Sequence, residues 1–308
     1  IPLVSVAGVV IAGTLARRDR ARLLARGMTP AEVEILLGRQ GEPTAPNWWI
    51  LGGGFGFVLF TLAMGLSKLA WNQEIIFAGS MAIVLFMMSR LVRELEPDAR
   101  ATLIGTAVVI FVFRAVPGTG PGVTWWMIDH LGFDQAFLSV LSLIGSTLTL
   151  AGMFLFRRFM AERSITYVVG FLTLTGFILS LPILGMSYGV HEWTARMTGG
   201  VVDARFIALI DTALESPLGQ IAMIPMLAWI ANSAPEKLKA TYFAVMASFT
   251  NLALSASQLG TKYLNQVFEL KREVRDPVTH AISSPADYSE LQALLLTAVV
   301  IGLVLPFA

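Results

Sequence analysis

The chain has 308 residues, 55% of them hydrophobic and 14% charged, with a formal net charge of +1 and no cysteine. A soluble globular domain carries roughly 25% charged residues, so this composition, with a mean hydropathy of +0.69, excludes an ordinary soluble protein and also disordered, collagen-like and coiled-coil chains. Without cysteine there is no disulfide, thiolate nucleophile or Cys-built metal site, and a charge so near zero gives no general pull toward nucleic acid.

A helix needs about 20 mostly apolar residues to cross the roughly 30 Å hydrocarbon layer with its own backbone satisfied. Nine segments meet that need: 1–16, 49–68, 74–92, 100–116, 134–156, 164–187, 206–231, 238–263 and 289–308. They are continuous apolar runs, not the alternating strands of a transmembrane barrel. The expected fold class is all-α, a polytopic transmembrane helix bundle. The chain opens at Ile1 inside an apolar run and stops at Ala308 inside another, as a fragment does. A basic block, not a cleavage site, follows the first run.

Taken in order, the first span leads into the basic stretch Arg17–Arg26 and then Thr29-Pro30-Ala31-Glu32. An N-cap Thr, a Pro at the first helical position and a Glu three residues on predict a short cytoplasmic helix to about Gly38. In the second span Gly52 and Gly56 form a small-xxx-small pair, read as close helix packing. Trp48, Trp49, Trp125 and Trp126 flank spans where an aromatic belt anchors a membrane protein. The fourth span closes on Phe113-Arg114-Ala115-Val116-Pro117-Gly118. An Arg fork there suits a carboxylate held by two parallel hydrogen bonds, from a solute or from another span; snorkelling to the interface is the alternative.

The seventh span carries Asp211 and Glu215, four apart on one helix face, beside Pro217 and Pro225, which remove backbone bonds and should bend or break the helix. Ionisable groups at membrane depth face a cavity and have partners. Two carboxyls crowded away from bulk water can hold and release a proton, as a proton-coupled carrier requires; a structural salt bridge from Asp211 to a neighbouring span is the alternative. The eighth span starts after Ser233-Ala234-Pro235-Glu236 and places Ser248, Asn251, Ser255 and Gln258 in one polar stripe, either a hydrogen-bonding wall for a polar heterocycle or helix–helix glue. Ser284-Pro285-Ala286-Asp287 leads into the ninth span by the same capping chemistry.

Loop charges test the span count, because Lys and Arg accumulate on the cytoplasmic side. Loops 17–48, 89–100, 157–163 and 232–240 hold 14 basic residues together, the opposite loops about 7, and Arg114 lies within a span. The skew alternates correctly over all nine spans, and anionic lipid is the expected neighbour of the Arg-rich blocks. His130, His191 and His280 fall in expected loops without metal-ligand spacing, and neither a phosphate-binding loop nor a hydrolase constellation occurs. No metal, cofactor or nucleic-acid partner is expected, and no enzymatic activity.

Phe113-Arg114-Ala115-Val116-Pro117-Gly118, followed by Trp125-Trp126 and Leu131-Gly132-Phe133, resembles the junction after the first helix of the second half in the folate-biopterin transporter family, within the major facilitator superfamily. A second block, from Asp211, Pro217 and Pro225 through Ala234-Pro235, Ala240-Thr241, Phe243-Ala244 and Ser248 to Asn251 and Gly260, resembles its tenth and eleventh helices. The resemblance implies that the nine spans are helices four to twelve of a twelve-helix transporter. Residues 1–92 would belong to the amino-terminal half, 93–100 to the central cytoplasmic connection and 101–308 to the carboxy-terminal half. It further implies a secondary active transporter that moves a small polar organic solute, a folate or pterin, by alternating access around a midplane site, with proton coupling and a multi-pass location in a bacterial inner membrane. Arg114, Asn251, Gln258 and Ser248 would bind the solute, Asp211 and Glu215 carry the proton, and Pro217 and Pro225 bend the helix. The rival expectation is a membrane receptor or assembly factor that reuses the transporter fold without transport and acts through loops such as 188–205 or 263–288.

Overall fold

The computed structural model describes residues 2–36, 48–93, 95–218, 239–275 and 282–308. Two compact units are formed, Ile1–Asn47 and Trp48–Ala308.

The first unit holds α1 (Pro2–Ala25) and α2 (Pro30–Leu36). The expected capping box is made. The Thr29 backbone N–H and hydroxyl both donate to Glu32 Oε2 at 2.8 Å, and the Glu32 N–H donates back to Thr29 Oγ1 at 3.4 Å. These bonds, the backbone one foremost, hold the Glu32 carboxyl below the usual carboxylate range.

The second unit is a helical bundle: α3 (Trp48–Leu66), α4 (Asn72–Val92), α5 (Pro97–Arg114), α6 (Gly122–Asp129), α7 (Gln135–Leu155), α8 (Arg157–Glu162), α9 (Ile165–Ser187), α10 (Val190–Met197), α11 (Ala204–Glu215), α12 (Lys239–Val267) and α13 (Leu291–Val304). Every predicted span contains a described helix. Among the described residues α3, α4, α7 and α9 are long and apolar enough to cross a membrane, and α3 and α7 turn nearly all of their apolar side chains outward. No residue of α3 is buried, and on α7 Leu143 and Phe154 are 68% and 74% exposed. A water-soluble fold would bury such groups; these helices are solvated by lipid.

The interior is built by stripes of the period that helices require. Val84, Met88 and Leu91 of α4, Leu103, Ala107 and Ile110 of α5, and Tyr242, Met246 and Phe249 of α12 each recur at intervals of four and three, and they join in one core cluster. A second cluster gathers Trp126, Phe133, Met186, Ala208, Leu291 and Leu295.

Several local expectations need correction. In α3 the close approach is made at Gly53, where a Cβ would stand 2.8 Å from Met87 Cγ, whereas Gly52 and Gly56 have nothing near them; rotation about the helix axis presents a different glycine to α4. Segment 188–205 contains α10, and 263–288 contains a short antiparallel ribbon, β1 (Val274–Arg275) with β2 (Ile282–Ser284). Ser284-Pro285-Ala286-Asp287 does not cap α13. Ser284 belongs to β2, Asp287 pairs with Lys271 and accepts the Ser289 N–H, and the helix starts at Leu291. Ser233–Glu236, Pro225 and His280 lie outside the described residues.

The ends that the charge alternation assigns to the non-cytoplasmic side do meet. Lys262 near the end of α12 pairs with Glu74 near the start of α4. Gln292 at the start of α13 donates to Ser187 at the end of α9, and Arg205 at the start of α11 reaches Gly132 O at 3.1 Å and Asp134 at 3.5 Å beside the start of α7. On the same side Arg272 clasps Asp129 at 3.0 Å and Tyr288 donates to Asp129 Oδ2 at 2.5 Å, tying the ribbon to α6. The bond from Tyr288, with the Arg272 charge, holds the Asp129 carboxyl below its ordinary range.

Candidate functional site

Two cavities in the second unit bring together the polar groups that lipid would not tolerate. The larger, about 900 Å³, lies between α3, α4 and α12. Phe57, Phe77 and Trp125 supply flat apolar walls, and Gln73, Ser80, Ser255, Gln258, Thr261 and Lys262 supply polar groups. Its size and mixed lining match those of sites that enclose small organic molecules.

The second cavity, about 460 Å³, lies between the end of α5 and α9, α11 and α13, and Asp211, Glu215, Thr173 and Ser180 line it. Asp211 is 6% exposed and its Oδ1 has no hydrogen-bond partner. Among the described residues no basic group forms an ion pair with either carboxylate. Open space beside Gly176 of α9 leaves room on the facing wall.

The helix carrying these carboxylates ends beside Pro217. α11 ends at Glu215 and a 3₁₀ turn, Ser216–Leu218, follows around Pro217. Thr149 Oγ1 of α7 donates to the Ser216 carbonyl at 2.9 Å, which satisfies an acceptor released by the break. At Gly152 of α7 a Cβ would stand 2.6 Å from Pro217 Cα, so only glycine lets the turn sit this close.

The polar stripe of α12 divides. Ser255 and Gln258 line the larger cavity; Ser248 donates to its own helix at Ala244 O, 2.9 Å away; Asn251 is exposed. Other polar groups on α12 fasten the chain that leaves α5. Ser257 donates to Val116 O at 2.6 Å, Thr261 Oγ1 accepts the Gly118 N–H at 2.8 Å, and Asn265 Nδ2 donates to Thr119 O at 3.2 Å. A Cβ on Gly260 would stand 3.0 Å from Pro117. The two blocks on which the family resemblance rests thus pack against each other. Arg114 ends α5, partly buried, and is not among the described residues lining either cavity. The structure therefore brings Asp211 and Glu215 into one cavity with Pro217 beside it, sets Gln258 in another, and does not join the two groups.

Sequence reasoning missed Gln73, Trp125 and Lys262 as lining residues. Trp125 reads as an interfacial anchor, as does Trp126, which is buried in the core at 7% exposure; Trp48 and Trp49 do stand exposed at the start of α3. Gln73 and Lys262 read as span-end polar groups. A signal existed in Lys262, which alone breaks an otherwise neutral helix end. His130 caps α6, His191 lies in α10 and not in a loop, and among the described residues no cluster could hold a metal ion.

The BT1 family model matches residues 50–308. Over 152 residues, 49% of this chain and 30% of the relative, the sequence is 28% identical to a folate-biopterin transporter of Synechocystis sp.. It is 25% identical over 161 residues to a putative folate transporter 2 of Plasmodium berghei, covering 52% of this chain and 34% of the relative. With folate transporter 2 of Plasmodium falciparum it shares 23% identity over 158 residues, 51% of this chain and 33% of the relative. The matched part spans about a third of the length of these curated relatives. No solved structure matches the chain.

Proposed function

The chain belongs to the BT1 family, and from that membership we propose that it forms part of a secondary active transporter that moves a folate or pterin across a membrane. The observation that carries the reading is the 900 Å³ cavity with amide, hydroxyl and ammonium groups set among aromatic walls, inside a bundle whose outer faces are apolar. The relatives named as folate transporters support the cargo. In this reading residues 1–92 and 101–308 come from the two halves of a major facilitator bundle joined by 93–100, and alternating access exposes the cavity to either side of a bacterial inner membrane. Gln258 hydrogen-bonds the solute, with Arg114, Ser248 and Asn251 serving it in other states of the cycle. Asp211 and Glu215 carry the proton, and bending at Pro217 and Pro225 links their cavity to the motion.

Uptake of labelled folic acid and biopterin by vesicles holding the full-length protein, with and without an imposed proton gradient, tests this. Gradient-dependent accumulation is expected. Uptake of neither solute would remove the transport reading, and equal uptake with the gradient collapsed would remove the coupling.

A further inference from the structure

The larger cavity holds one charged group whose role the reading above leaves open. Among its described lining residues Lys262 is the only ionisable one. Its Nζ lies 2.6 Å from Glu74 Oε1, and the same oxygen accepts the Tyr263 hydroxyl at 2.8 Å. Glu74 Oε2 is buried without a hydrogen-bond partner. One carboxylate oxygen thus takes two donors while the other, itself shut off from water, takes none, an unevenly satisfied arrangement. The ammonium has three N–H donors, and Lys262 lines the same cavity as Trp125 and Gln258. The two residues stand 188 positions apart in the chain, so the pair is a product of the fold.

We propose that Lys262 is the receptor for an anionic group of the solute and that Glu74 is its placeholder, neutralising the ammonium until a solute carboxylate takes over that contact. The assignment rests on the transport reading and adds to it the recognition of one charged group. A planar ring lying along Phe57, Phe77 and Trp125 and hydrogen-bonded by Gln73 and Gln258 would direct an acidic tail toward Lys262. The site would then favour solutes combining a flat heterocycle with a carboxylate over those with the heterocycle alone. Because Glu74 competes for the same cation, its charge lowers affinity for the acid.

Equilibrium binding to the full-length protein in lipid vesicles tests this with two probes: folic acid, which carries a pterin and carboxylates, and biopterin, which carries a pterin and no carboxylate. In Lys262→Gln the ratio of folic acid affinity to biopterin affinity should fall about tenfold or more, the order expected for a lost charge-assisted hydrogen bond. In Glu74→Gln the same ratio should rise several-fold. An unchanged ratio in Lys262→Gln, with both affinities lowered alike, would make the lysine a structural residue and overturn the inference while the transport reading stands. A ratio that fails to rise in Glu74→Gln overturns the placeholder role. Absence of binding of either probe to the unaltered protein overturns the transport reading and this inference together.

Discussion

Asp211 is the residue whose surroundings most constrain its chemistry. It is buried, one of its oxygens has no partner, and Glu215 shares its cavity one helical turn away. Asp211→Asn keeps shape and volume while removing the titratable group, so it should abolish pH-gradient-driven uptake with the protein still folded; full uptake by that variant would remove the proposed role. Asp129 is the opposite case, a carboxylate with three strong donors outside the spans. Its folded-state pKa is depressed. The stability it contributes is therefore present above the unfolded value, about 3.9, and is lost as pH falls through the lower folded value. Acidification below about pH 4 should release the ribbon from α6, and Asp129→Asn should do so at neutral pH. Proteolysis between residues 268 and 290 would detect both, and no rise in cleavage in the variant would count against the clasp. Asp211 could be singled out in the sequence because a charge in an apolar run is conspicuous. Asp129 could not, since its partners come from residues 272 and 288 and nothing local announces them.

At the level of the element, helix identity was legible and helix contact was not. The apolar runs placed α3, α4, α7 and α9 within two residues at each end, because span length is set by bilayer thickness and hydropathy is local. The glycines show where the sequence stops being informative. Gly152 and Gly105 look alike in sequence, each a glycine inside an apolar helix. Gly152 faces the Pro217 backbone and Gly105 faces open space. Gly152→Ala should destabilise the protein by about 1–3 kcal/mol, since backbone must shift to admit the methyl group. Gly105→Ala should leave stability unchanged or raise it by about 0.5–1 kcal/mol through helix propensity. Thermal unfolding in detergent would compare them, and equal midpoints would contradict the close approach of α7 to the turn at Pro217. The stripe on α12 teaches the same lesson. Its spacing was evident, but Ser255 and Gln258 serve the cavity, Ser257 fastens the loop after α5, and Thr261 and Asn265 do both.

For the molecule as a whole, outward-facing apolar surface predicts how it responds to new charge. Leu143 lies near the middle of α7 and is exposed to what must be lipid. Leu143→Arg should cost about 2.5–3.5 kcal/mol of membrane insertion, whereas Gln135→Arg at the helix end should cost little because the side chain reaches the interface. Recovery of each variant in the membrane fraction reads this out; equal recovery would mean that α7 does not face hydrocarbon at Leu143.

Membrane class and the apolar runs that fold as helices followed from the sequence alone, since both depend on composition within a window of about 20 residues. The family resemblance was legible too, in short runs of prolines and small residues. Only the tertiary structure decided that Pro117 lies on Gly260, that the carboxylates and Gln258 occupy separate cavities, and that Lys262 meets Glu74. These are distances between groups far apart in the chain, fixed by how helices rotate and pack against each other, and no local pattern of residues encodes that rotation.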